Sequence, residues 1–173
     1  MIRDHQLPLK WLRSATMMLA LTILPNWVFA KDVDTQIQWI KENAVPIRSI
    51  QPSDEDFSDL MPLVDRIGRA RVVLLGEPTH GTGNVFLLKG RLIRFLHQVM
   101  GFDVIAWEGG LYNCARMDAA LSSKLPLSKV MSLGFSPVWA QSAQVYPTVE
   151  YIRSTRGKSN PLVLAGFDNQ LTS

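Results

Sequence analysis

Apolar residues recur at helical spacing at Val33, Ile37 and Ile40, with Trp39 beside them, and Pro46 closes the run, which predicts a helix over 33–43. A second set, Leu60, Leu63, Val64 and Ile67, falls on one helical face with Asp65, Arg66 and Arg69 pointing away. The acidic run Asp54-Glu55-Asp56 ahead of it suits a helix N-terminus. The period then changes. Val72-Val73-Leu74-Leu75-Gly76 is an unbroken apolar run, the pattern of a strand buried on both faces. Residues 77–83 form a loop rich in Gly, Thr and Pro, and Asn84 can cap a helix running to about Met100. Phe86, Leu87, Leu92, Phe95, Leu96, Val99 and Met100 give that helix its core side, and Gly101 stops it.

Val104-Ile105-Ala106-Trp107-Glu108 reads as a second short strand, closed by Gly109-Gly110. Helical material follows from about Leu111 to Ser122, then a stretch broken by Pro126 and Pro137, then a helix from Val145 or Thr148 to Thr155 that turns Val149 and Ile152 inward. Pro161 to Asp168 contains a third buried strand. Strand, helix, strand, helices, strand is the order of an α/β fold: a parallel sheet with flanking helices, built from βαβ units joined by right-handed crossovers.

Residues 1–30 carry the three parts of an export signal: basic residues at Arg3, Lys10 and Arg13, an apolar stretch from Ala15 to Leu24, and a cleavage-like end at Val28-Phe29-Ala30. The apolar stretch is shorter than the roughly 20 residues of a membrane span, so the mature chain, 31–173, is expected to be exported, periplasmic or secreted, with no stable membrane insertion. Removing residues 1–30 takes away three basic residues and one acid, leaving 15 basic against 14 acidic side chains. That balance changes how the basic pI of 9.2 is read: most of the excess charge is in the leader, so nucleic acid is set aside as a partner. Cys114 is the only cysteine, which excludes an intrachain disulfide and suits a packed small apolar residue.

Ligands collect at the carboxyl ends of strands in open parallel sheets. All three expected strands finish in an acid: Glu77, Glu108 and Asp168. His80 lies in the loop after Glu77, where Gly81 and Gly83 permit a tight backbone path. An imidazole can take a proton from water, and a neighbouring carboxylate can fix its tautomer and stabilise its charged form. Glu77, His80 and Glu108 are therefore the candidate catalytic residues. The plainer alternative is that both glutamates accept backbone hydrogen bonds while His80 holds the turn. Lys89 and Asp168 are candidate substrate-binding residues. Lys89 could instead share a solvated face with Arg91 and Arg94, and Asp168 could cap the next element. His97, beside charged positions, reads as a surface histidine.

Gly76 and Gly81 have the outer spacing of a phosphate loop, but Thr82-Gly83 stand where Lys and Ser or Thr belong. No G-x-S-x-G and no H-E-x-x-H occurs, and the two histidines beyond the leader make a protein-only zinc site hard to complete. No cofactor and no metal is expected.

The segment Leu75-Gly76-Glu77-Pro78-Thr79-His80-Gly81-Thr82, followed by Phe86, Leu88-Lys89, Arg91-Leu92, Arg94-Phe95-Leu96, Gly101-Phe102 and Glu108-Gly109-Gly110, resembles the erythromycin esterase family. Trp139, Tyr151-Ile152-Arg153 and Gly166-Phe167-Asp168-Asn169-Gln170 extend the likeness over about residues 35–170. The resemblance implies hydrolysis of a small-molecule ester, in the named case the macrolide lactone whose opening confers antibiotic resistance, by water activated at a histidine. It places His80 at the general base, Glu77 and Glu108 at its supporting acids, and Lys89 at a basic position. Gln144 departs from the acid that many members carry after the tryptophan. Members are also much longer, and their second half supplies further histidines and closes the cleft. The resemblance thus implies a fold incomplete at its carboxyl end, with an inactive truncated remnant or a non-catalytic binding domain as the alternative to an active enzyme.

Overall fold

The computed structural model describes residues 33–169. The leader expected over residues 1–30 lies outside the described residues, as does Gln170. Two compact units divide the chain, one through Val45 and one from Pro46. In the first, helix α1 (Val33–Asn43) forms where the spacing of Val33, Ile37 and Ile40 predicts it, and none of its residues is buried. Asp34 in its first turn and Lys41 in its last both complement the helix dipole. Among the described residues, no helix is long and apolar enough to cross a membrane.

The second unit runs α2 (Pro62–Ile67), α3 (Gly83–Gln98), β1 (Val104–Gly110), α4 (Leu111–Ala120), α5 (Leu127–Gly134), α6 (Pro137–Ala140), α7 (Tyr146–Ser154) and β2 (Val163–Asp168). Strands β1 and β2 pair in parallel, with Val104 opposite Val163 and Trp107 opposite Gly166. The α/β class read from the sequence is the observed one. The number of strands differs: among the described residues the sheet has two. Residues 72–76 form no ladder, and Val72 and Leu74 are exposed while Val73 and Leu75 pack against the core. Burial that alternates in this way marks a segment covered on one face, where the unbroken apolar run suggested two. The strands β1 and β2 alternate likewise, with Val104, Val163 and Phe167 turned outward.

Helix α3 is the central element. Phe86 and Ile93 join a core built with Cys114, Met117, Val130, Met131, Val149, Ile152 and Leu164, while Phe95 and Leu96 join Phe57 and Leu60 in a second cluster. A fully buried Leu or Phe contributes about 1.5 to 3 kcal/mol through removal of apolar surface from water, so the two clusters clamp α3 from both sides. Gly90 permits this approach, because a Cβ there would lie 2.6 Å from the Thr148 hydroxyl of α7. The helix begins at Gly83 with Thr82 at its N-cap, two residues before the expected cap Asn84. At its far end Gly101, at φ +76°, lets the Phe102 amide reach back to the Leu96 carbonyl at 3.0 Å, the left-handed stop that only glycine adopts without strain.

Three local expectations are corrected. The acids Asp54 and Asp56 do not cap a helix; both pair with Arg48, and α2 begins later, at Pro62. Arg91 and Arg94 do not form a solvated face. Arg91 is fully buried against Asp59 at 2.6 Å, and Arg94 bonds the Pro52 carbonyl and Glu55. His97 is likewise buried, bonded to the Tyr151 hydroxyl at 2.6 Å and the Asn160 carbonyl at 3.0 Å. Arg91, Arg94 and His97 are each matched by a partner distant in sequence, which helical periodicity cannot register. Pro137 opens α6, where the fixed φ of proline suits a first turn whose N–H groups have no partner anyway, and Pro126 stands just outside α5 as its N-cap. Cys114 is a buried free thiol, as expected, and burial pushes its pKa up.

Candidate active site

The loop from Glu77 to Thr82 joins the extended segment to α3. Thr79 shapes it, accepting from the Gly81 amide through its hydroxyl at 3.3 Å and from the Thr82 amide through its carbonyl at 3.4 Å. This turn folds His80 back on Glu77, with Nδ1 2.6 Å from Oε1. The second carboxylate oxygen, Oε2, accepts from the ammonium of Lys89, which rises from the second turn of α3 and also lies 5.1 Å from the centre of the Phe86 ring. Glu77 and Lys89 are mostly shielded from water, whereas half of the His80 side chain is exposed.

Glu108 reaches the same place from β1. Between the pairs Trp107–Gly166 and Gly110–Asp168, β1 holds one residue more than β2, a bulge at Glu108-Gly109. Such a bulge re-aims the side chain beside it. Gly166 makes room for it, since a Cβ there would lie 2.4 Å from the Gly109 carbonyl oxygen. As a result, ligand atoms of Glu77, His80 and Glu108 all lie within 4.8 Å of one another. The three candidate catalytic residues are thus brought together, Glu108 from the sheet and Glu77 and His80 from the loop before α3. Lys89 also points into the group, with its ammonium on Glu77. Asp168 ends β2 opposite Gly110; it has a partner of its own and is outside the group of three.

Burial pushes the Glu77 carboxyl up, but hydrogen bonds and charge from Lys89 and His80 outweigh it and hold the carboxyl below its ordinary value. Glu77 is therefore an anion, and an anion only accepts hydrogen bonds. His80 must then carry its proton on Nδ1, which leaves Nε2 with a free lone pair. An imidazole so oriented can take a proton from water. One histidine and two carboxylates could also hold a cation. Both Glu77 oxygens are already engaged, by His80 and Lys89, which weakens that use.

Sequence reasoning missed the aromatic wall. Trp139, at the third position of α6, meets His80 edge to face at 4.6 Å and 74° and touches Phe86 at 4.9 Å and Trp107 at 5.9 Å. A tryptophan in a short Pro-initiated helix was visible, but nothing local ties it to a distant histidine. Gln144, which departs from the acid of the resembled family, lies against Gly83 at the start of α3.

No protein-family model matches the chain. The Bacillus subtilis (strain 168) protein named "Putative hydrolase YbfO" is 33% identical over 132 residues, which are 76% of this chain and 28% of that protein. Erythromycin esterase type II of Escherichia coli is 38% identical over 73 residues, 42% of this chain and 17% of that enzyme. Among solved structures, a Bacillus cereus protein superposes with a TM-score of 0.70 at 25% identity, over 79% of this chain and 33% of that one. A succinoglycan biosynthesis protein superposes with a TM-score of 0.69 at 26% identity, over 78% and 34%. The chain spans about a quarter of the length of the first of these relatives and about a third of each solved structure. It is a partial homologue of proteins named as a hydrolase and as an erythromycin esterase.

Proposed function

We propose that this chain carries the histidine-and-acid part of an exported ester hydrolase. The observation that supports it best is the 2.6 Å bond between His80 Nδ1 and Glu77, with Glu108 beside them. In this reading Nε2 of His80 takes a proton from water as the oxygen attacks the ester carbonyl. Glu77 fixes the tautomer and, with Glu108, balances the charge of the imidazolium; the proton then passes to the departing alkoxide. Lys89 holds Glu77, and both Lys89 and Asp168 stand at the rim where an ester substrate would bind. The erythromycin esterase relative favours a macrolide lactone as the substrate. Export and a periplasmic or secreted location rest on the pattern of residues 1–30.

The test is hydrolysis of an activated ester and of erythromycin by the chain and its His80→Ala variant. Loss of turnover by roughly 100-fold or more, with the circular dichroism spectrum unchanged, is expected; equal turnover would remove His80 from the mechanism. A second reading, a non-catalytic domain of the same fold, draws support from the outward apolar residues Val72, Leu74 and Phe167. It requires that the 173-residue chain show no turnover on either ester.

A further inference from the structure

We propose that Trp139 is a positioning residue for His80, holding the imidazole edge to face so that Nε2 stays turned toward water; this rests on the hydrolytic reading above. His80 stands on a loop with about half its side chain exposed, 52%. Its bond to Glu77 fixes one ring atom, and a ring tethered at one nitrogen can still pivot about that bond. A second contact is needed to set the plane, and the Trp139 ring provides it at 4.6 Å and 74°.

Trp139 is well placed for that task because it cannot itself move freely. It is only 5% exposed. Phe86 of α3 braces it at 4.9 Å and Trp107 of β1 at 5.9 Å, and Trp107 is stacked on Phe135 at 4.6 Å and 26°. The same β1 carries Glu108 and the same α3 carries Lys89. The indole therefore ties the exposed member of the site to the two elements that hold its other members, which is how a supporting shell fixes a reactive group.

The experiment has one arm that needs no substrate. Imidazole nitrogen and carbon-proton spectra of the full chain at about pH 8, above the ordinary imidazole range, are compared for the native protein, Trp139→Phe and Trp139→Leu. In the native protein His80 should show one tautomer, protonated at Nδ1, with ring protons displaced from random-coil positions by the indole. Trp139→Phe should keep one ring orientation, read from nuclear Overhauser contacts of the His80 ring protons, and Trp139→Leu should average those contacts while the Nδ1 tautomer set by Glu77 persists. Random-coil shifts and mixed tautomers in the native protein would overturn the proposal whether or not the variants fold. Unchanged His80 signals in a folded Trp139→Leu would do the same. The second arm is ester turnover: Trp139→Leu should lower kcat roughly 10- to 100-fold at nearly constant KM, with partial recovery in Trp139→Phe. A native protein with the expected spectra but no turnover would uphold the positioning role and remove the hydrolytic reading.

Discussion

The two carboxylate oxygens of Glu77 are held by different partners, His80 on one side and Lys89 on the other. That division determines what each residue can do. Lys89 keeps Glu77 ionised against the effect of burial, and the ionised Glu77 in turn dictates the His80 tautomer. Removing the ammonium while keeping the stem should let burial prevail. Lys89→Met should therefore raise the Glu77 pKa, and the acid limb of the turnover profile should move to higher pH, as read from kcat/KM measured across pH. An unmoved acid limb would mean that Lys89 acts on the substrate alone.

At the scale of elements, the decisive feature is how the segment before α2 closes over α3. Arg91 reaches out of α3 to Asp59 and to the carbonyls of Ser49 and Asp56, so one buried guanidinium pins the chain on either side of the acidic run. The hydrogen bond from Arg91, opposed in part by burial, holds the Asp59 carboxyl far below its ordinary 3.8. A carboxyl with a depressed folded pKa binds protons more weakly in the native state, so the stability it adds is complete above its unfolded value and lost as pH falls toward the folded one. Asp54, Asp56 and Glu77, also depressed, act in the same direction. The urea midpoint should therefore drop on acidification below about pH 4, the ordinary carboxylate range. Arg91→Ala should cost about 3 to 5 kcal/mol at pH 7, since it removes the charged partner of a largely shielded Asp59, and should flatten that acid dependence. An Arg91→Ala midpoint equal to the native one would show that the clasp contributes nothing.

For the molecule as a whole, the α/β class, the helices and the parallel pairing of β1 with β2 are legible in the sequence, because hydrophobic period and chain order report them directly. Glu77, His80 and Glu108 are legible as polar groups at or just beyond apolar runs, although Glu77 and His80 reach Glu108 from a loop and not from a sheet strand. The bulge that aims Glu108 is not legible, nor is the pairing of Arg91 with Asp59, the burial of His97 or the contact of Trp139 with His80. Each of these depends on which distant segments meet. The run 72–76 misleads for the same reason, since an apolar stretch states that it will be covered but not on how many faces.

What joins these scales is the claim that Glu77 and His80 act as a single unit, and a double-variant cycle on ester turnover tests it most directly. Groups that act together show strongly non-additive losses. If Glu77 works only through His80, then Glu77→Gln should lower kcat/KM, His80→Ala should abolish it to background, and the double variant should be no worse than His80→Ala alone. Losses that simply multiply in the double variant would contradict the account, as would a Glu77→Gln protein with native turnover.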